Sequence, residues 1–262
     1  MFRLGFLLFT FFSLVGMCAQ LSVRNEEPTA PLIEKGKPVI VAVVDTGFDF
    51  DSTWSGLNQS VGLKKPKMCK QGHKDFTDMG IKDLHGHGTH IAGLIAKYAG
   101  DSNYCLVALK YYNTEKEQID HLGTSLKAFQ RAIDLKVDII NYSGGGVEKS
   151  EYECALIKKA LDMGIIVVAA AGNEASDINL SPYYPAMCDN RVRAIANVDE
   201  KGNYQHNSNF TNLVMINPRE LVKENGTNVL SLSPGNGTTY MTGTSQAAAI
   251  ETGKIVKELC SH

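Results

Sequence analysis

The chain has 262 residues, a formal net charge of −2, 44% hydrophobic residues and 21% charged residues. Those values suit one large α/β domain, or at most two small ones, with enough apolar side chains for a sizeable core. No long Lys/Arg run occurs, so nothing in the composition calls for a nucleic acid partner.

Arg3 precedes an apolar stretch from Leu4 to Val15, followed by small or neutral residues around Gly16-Met17-Cys18-Ala19. A positive start, a short apolar core and a cleavage region predict a signal peptide over residues 1–19, and hence an exported protein, secreted or periplasmic. The stretch is too short for a comfortable membrane span. Membrane contact is expected only if Cys18 is lipidated rather than removed with the signal. Cys69, Cys105, Cys154, Cys188 and Cys260 then remain. An odd set in an exported chain permits two disulfides and one free thiol, with the pairing open; free buried cysteines acting as small hydrophobes are the other reading.

Residues 20–37 are polar, and Pro28, Pro31 and Pro38 break regular structure, which predicts an N-terminal arm ahead of a folded domain at 38–262. Within that domain short Val/Ile-rich runs alternate with helix-length segments. The runs Val39–Val44, Leu106–Tyr111, Val137–Asn141, Ile165–Ala170 and Val192–Ala196 read as strands buried on both faces. Thr89–Tyr98, Leu122–Leu135, Glu151–Met163 and Gln246–Leu259 read as helices. The alternation predicts a doubly wound α/β fold, a mostly parallel sheet flanked by helices. Residues 197–240, rich in Asn, Gly, Ser and Thr, are expected to form loops and short antiparallel strands.

Four short motifs carry chemistry: Val43-Val44-Asp45-Thr46-Gly47, His87-Gly88-Thr89-His90, Ala171-Gly172-Asn173-Glu174 and Gly243-Thr244-Ser245-Gln246. Taken singly each has a bland reading, as a strand-end turn, a cap or a loop histidine. One Asp-Thr-Gly also resembles the aspartic protease signature, but that reading needs a second such aspartate and leaves the other motifs unexplained. His85, His87 and His90 invite a zinc reading, yet no acidic partner completes a metalloprotease pattern. No metal and no cofactor are therefore expected. His90 is assigned a structural role and His85 a place in a loop.

Together and in this order, the four motifs resemble those of the subtilisin-like serine proteases (subtilases, peptidase family S8). The resemblance implies a subtilisin-like fold and a serine endopeptidase working through an acyl-enzyme on a polypeptide substrate. Ser245 would attack, His87 would shuttle the proton, Asp45 would hold His87, and the Asn173 amide would stabilise the oxyanion. Ser143-Gly144-Gly145 matches the family strand that pairs with an extended substrate. Tyr183 falls at the base of the primary specificity pocket, where a bulky ring would favour small side chains before the scissile bond.

The chain also departs from the family pattern. Only residues 20–37 stand where a folded prodomain is common, so a separate folding helper or inhibitor is a candidate partner. Gln246 and Ala249 replace the usual Met and Pro after the nucleophile, and the chain stops at His262, giving the fold a shortened C-terminal end. The stretch Tyr98–Cys105 looks too short for the calcium site of many members, so none is carried across. These departures leave an alternative function, a catalytically weak or inactive subtilase-fold protein that binds peptides.

Overall fold

The computed structural model describes residues 36–57, 61–115, 119–212 and 219–261. Residues 1–35 are not among them, so the predicted signal, Cys18 and most of the arm lie outside the description.

Seven strands form one sheet in which every pairing is parallel. In chain order they are β1 (Val39–Asp45), β2 (Lys74–Asp75), β3 (Tyr104–Lys110), β4 (Ile139–Tyr142), β5 (Ile166–Ala170), β6 (Arg193–Asn197) and β7 (Val222–Glu224). Their spatial order is β2-β3-β1-β4-β5-β6-β7. The order reverses at β1, which has β3 on one side and β4 on the other. In open α/β sheets a crevice opens at the carboxyl ends of the strands at such a point, and Asp45 ends β1. Strands β8 (Val229–Ser233) and β9 (Gly237–Met241) form a separate antiparallel hairpin.

Helices α1 (His87–Ala99) and α4 (Thr244–Leu259) cover one face of the sheet; α2 (His121–Asp134) and α3 (Glu151–Asp162) cover the other. Residue alternation along the strands builds both layers. Val39, Val41 and Val43 of β1 pack among Ile91, Leu94, Ile95, Ile250 and Val256. Ala42 and Val44, pointing the other way, pack with Phe129, Ile133 and Ile157. This is why the strands read as continuous apolar runs rather than alternating ones.

The predicted strands and helices are all present, with ends displaced by one or two residues. Two edge strands were not foreseen. β2 is only two residues long, and β7, inside the stretch expected to be antiparallel or irregular, joins β6 in parallel. Neither has an apolar run, because an edge strand need not be buried on both faces. The predicted hairpin character of the stretch survives in β8–β9. The cysteines pair as Cys69–Cys105 and Cys154–Cys188, leaving Cys260 free and exposed.

Gly253 brings α4 against α1. A Cβ there would come within 2.6 Å of Tyr98 Cβ and 2.8 Å of the Ile95 carbonyl oxygen. Gly253→Val should therefore force the two helices apart and destabilise the protein by about 1–3 kcal/mol. The midpoint of urea unfolding reads this; an unchanged midpoint would contradict the close crossing.

Candidate active site

Both α1 and α4 begin after a glycine, Gly86 and Gly243, so neither has an N-cap side chain of its own. Their free N–H groups are met from elsewhere in the fold. On α1, Asp83 Oδ2 accepts from Thr89 N at 2.8 Å, and Thr46 Oγ1 accepts from Gly88 N at 2.8 Å. Thr46 in turn donates to Asp83 Oδ1 at 2.8 Å, an oxygen that also accepts from Gly86 N at 2.7 Å. On α4, Asn173 Oδ1 accepts from Thr244 N at 3.0 Å and from its hydroxyl at 3.2 Å.

This anchoring brings His87, the first residue of α1, to the end of β1. Its Nδ1 donates to Asp45 Oδ1 at 2.7 Å, and the same oxygen accepts from Thr46 N at 2.8 Å. Asp45 is 3% exposed, whereas the His87 side chain keeps 22% of its surface open. Burial disfavours the imidazolium. The Asp45 carboxylate, the hydrogen bond to it and the more remote charge of Asp83 outweigh that penalty and hold the His87 pKa above its usual value.

Ser245 is the second residue of α4 rather than the first, and it is 8% exposed. Its hydroxyl donates to the Ser143 carbonyl at 2.9 Å and makes no hydrogen bond to His87. Of the four candidates, one pair is bonded directly and the other two are held through neighbouring residues. Asp45 and His87 are bonded, Ser245 sits on Ser143, and Asn173 holds Thr244, the neighbour of Ser245. Ser143 links the groups, because it also lines a cleft of about 200 Å³ with Asp45, Thr46, His85, His87, Tyr111 and Tyr112. Cavities of about 640 and 650 Å³ elsewhere on the surface contain none of the candidates. Size alone does not find the site.

The amide of Asn173 has a definite orientation. With its oxygen occupied by Thr244, its Nδ2 donor has no partner among the described residues. Gly172 makes the turn that presents it, at φ 100° and with Asn209, Glu174 and the Tyr183 ring crowding the place of a Cβ. Gly145 is equally confined, with φ 149° and Tyr183 and the Tyr184 carbonyl where a side chain would stand. The Tyr183 ring therefore lies between Gly145 and Gly172. Next to it, Gly146 and Tyr184 exchange N–H···O bonds of 2.9 and 2.8 Å.

Sequence reasoning missed several supporting residues. Asp83 and Thr46 are buried and fasten α1 to β1. Asn141 receives Thr252 Oγ1 of α4 at 2.9 Å and donates to Ser143 Oγ at 3.2 Å, tying the two elements that carry Ser245 and Ser143. Asp83 lies ahead of the N-cap position, Gly86, so no usual capping pattern marked it; Asn141 and Thr252 are 111 residues apart and gave no signal. His85, expected simply in a loop, also lines the cleft. His90 is structural as expected: burial pushes its pKa down to about 4, and its Nε2 reaches the Val229 and Thr239 carbonyls at 3.2 Å each. Gln246 is buried, with its amide directed at Met241 Sδ, 3.8 Å away.

A buried Asp–His pair beside a helix-borne serine and a free amide donor is an arrangement for acyl transfer, and comparison with known proteins bears directly on it. Residues 36–257 match the sequence model of the Subtilase family. The chain belongs to that family. It is 33% identical over 232 residues to the major intracellular serine protease of Bacillus subtilis strain 168, covering 84% of this chain and 68% of that protein. An intracellular serine protease of Paenibacillus polymyxa is 32% identical over 244 residues, covering 87% and 69%. In fold the chain resembles a serine-to-alanine mutant of the protease domain of PatA, with a TM-score of 0.66 at 21% identity over 87% of this chain and 82% of that one.

This subtilase is accordingly a serine-type peptidase, a hydrolase whose substrate is a polypeptide. The peptide-binding alternative finds no support among these relatives. The expectation of export is overturned, since both bacterial relatives are named as intracellular enzymes. A short apolar run after one arginine is a compositional cue carried by few residues, whereas the relatives match across the fold.

Replacing Asp45 by Asn removes the charge in contact with His87 and alters the hydrogen bond to it, leaving only the more remote Asp83 to raise its pKa. The imidazole of wild type should titrate above the ordinary 6.5, and that of Asp45→Asn clearly lower, as followed by histidine proton resonances against pH. Since neutral His87 is the form able to accept a proton, wild-type kcat/KM should fall as pH drops through the higher value.

Proposed function

We propose that this subtilase is an endopeptidase that cleaves extended polypeptide segments through an acyl-enzyme formed on Ser245. The 2.7 Å bond from His87 Nδ1 to Asp45 Oδ1 carries the proposal. It fixes the proton on Nδ1 and leaves Nε2 as the acceptor. The buried carboxylate stabilises the imidazolium that forms when Nε2 takes the Ser245 proton. The serine oxygen, turned from the Ser143 carbonyl toward His87, attacks the peptide carbonyl. As the carbonyl oxygen gains charge, the free Nδ2 of Asn173 and the N–H of Ser245 donate to it. That N–H lies in the first turn of α4, where no intrahelical acceptor exists and the helix dipole favours negative charge. His87 then protonates the leaving amine, and water, deprotonated in the same way, releases the acid.

The substrate is held by backbone pairing to Ser143-Gly144-Gly145. Glycines at the last two positions let a chain approach closely, and pairing of this kind reads backbone rather than side chain. Selectivity for the residue before the cut then depends on Tyr183. Its ring, seated between Gly145 and Gly172, would confine the pocket for that residue to small side chains.

Ser245→Ala should lower kcat by about 10⁶-fold, the scale found for other subtilases, while peptide binding persists. Asn173→Leu should cost about 10²–10³-fold, mainly in kcat. A fluorophosphonate should label Ser245 alone in the folded wild-type protein, located by mass spectrometry. A folded sample that resists labelling and cleaves nothing would refute the proposal. Tyr183→Ala should enlarge that pocket and raise kcat/KM for peptides with Phe or Leu before the cut by about tenfold or more, since one methylene in such a pocket already counts for about 10-fold. An unaltered preference would remove Tyr183 from the specificity argument.

A further inference from the structure

The first turn of α3 holds a carboxyl group that the reaction does not use. Glu153 is 4% exposed, and its side chain makes no hydrogen bond and no ion pair among the described residues. Its backbone N–H is taken by the capping Ser150 hydroxyl at 3.3 Å, so the side chain is not needed to begin the helix. A carboxyl withdrawn from water without a partner is costly, and such groups are rarely fully buried unless paired.

Two cross-links hold this group beneath the substrate strand. Cys154, the next residue, is bonded to Cys188, which fastens the first turn of α3 to the segment beginning at Tyr183. Gly146 and Tyr184 are bonded in both directions, which fastens the same segment to the end of β4. The charge of Glu153 bears on Tyr142 and Tyr183. The Tyr142 ring, with the Tyr111 hydroxyl, fills the place where a Cβ on Gly144 would stand. Gly144 and Gly145 thus put no side chain of their own between a bound peptide and these rings. Burial pushes Glu153 up to about 7, a value at which a nearby cation readily draws off its proton.

The charges facing Tyr183 are Glu174 and Glu153, both acidic. Glu174 is already engaged by Asn209 Nδ2 at 2.7 Å; Glu153 is not engaged at all. Val147, 64% exposed, and Tyr152, 80% exposed, precede Glu153 in sequence and offer apolar surface. An unpaired carboxylate with exposed apolar side chains nearby in the chain suits a long side chain with an apolar stem and a cationic head.

We infer that Glu153 is a specificity-determining residue that selects substrates carrying Lys or Arg upstream of the small residue at the cut, on the side of the scissile bond retained in the acyl-enzyme. The inference rests on the endopeptidase reading above and on the pairing of substrate with Ser143–Gly145. An arriving ammonium or guanidinium group supplies the partner that the fold withholds, and no covalent step is added to the reaction.

The test uses the full chain and a set of quenched fluorescent peptides in which Lys, Met or Glu occupies each upstream position in turn. Wild type should cleave the Lys peptide at one position at least about tenfold faster in kcat/KM than the Met peptide, as expected for a hydrogen bond between charged groups. Glu153→Gln, equal in size, should cleave the Met peptide within about twofold of wild type and lose the Lys preference. The same ratio read as peptide affinity in Ser245→Ala keeps the test independent of turnover. An active wild type without a Lys preference, or a preference that survives in Glu153→Gln, would overturn the role of Glu153 and leave the peptidase intact. A folded sample inert to both peptides and fluorophosphonate would overturn both.

Discussion

Helices α1 and α4 start without caps of their own, and the rest of the site follows from that. A helix beginning after glycine leaves its first N–H groups unsatisfied, and burying them so would cost free energy at each one. Here Thr46 and Asp83 satisfy α1, and the Asn173 carbonyl satisfies the first N–H of α4. Thr46 follows β1 and Asn173 lies shortly beyond β5, while Asp83 is tied to β1 through its bond to Thr46. Each helix is therefore locked to the carboxyl edge of the sheet by the bonds that let it begin there. The helices also meet each other through Gly253, on one face of the sheet. Two strand ends and two helix starts thereby become one rigid frame, and the candidate residues are the points at which its members meet.

Electrostatics in this frame depend on how each buried acid is satisfied. Asp83 spends its oxygens on backbone N–H groups and the Thr46 hydroxyl, so it acts on His87 from a distance. Asp45 accepts from Thr46 N and from the imidazole, so its charge acts on His87 at contact. Both are aspartates, almost fully buried and close in the fold, yet one organises a helix and the other raises the pKa of an imidazole. The backbone sets the difference: in the first case several N–H groups converge on the carboxylate, and in the second a titrating ring does.

What was legible in the sequence was what is local. A buried parallel strand has to be apolar on both faces, so β1, β3, β4 and β5 announced themselves. Asp45, His87, Asn173 and Ser245 each sit where a strand ends or a helix starts, and each carries its motif within a few residues. Edge strand β7 announced nothing, since one neighbour and one covered face do not demand an apolar run. Asn141 and Thr252 meet across 111 residues, and no pattern in either segment points to the other. The two disulfides and the tyrosines beneath Gly144 have the same character. Export was read from a segment at the chain start, outside the fold that the relatives share, and there the local cue misled.

The position of the Ser245 hydroxyl shows how such a frame holds the proposed nucleophile at rest. Bonded to the Ser143 carbonyl, it is satisfied and is not yet directed at His87. Exchanging one neutral hydrogen bond for another changes the free energy little, because a typical bond is worth only about 0.5–1.5 kcal/mol net. Rotation toward His87 is therefore cheap. Ser143 belongs to the strand proposed to pair with substrate, and Asn141 ties that strand to α4. A peptide drawn onto Ser143–Gly145 thus arrives against the group that holds the hydroxyl at rest. In the proposed reading, peptide binding and release of the hydroxyl act on the same backbone segment.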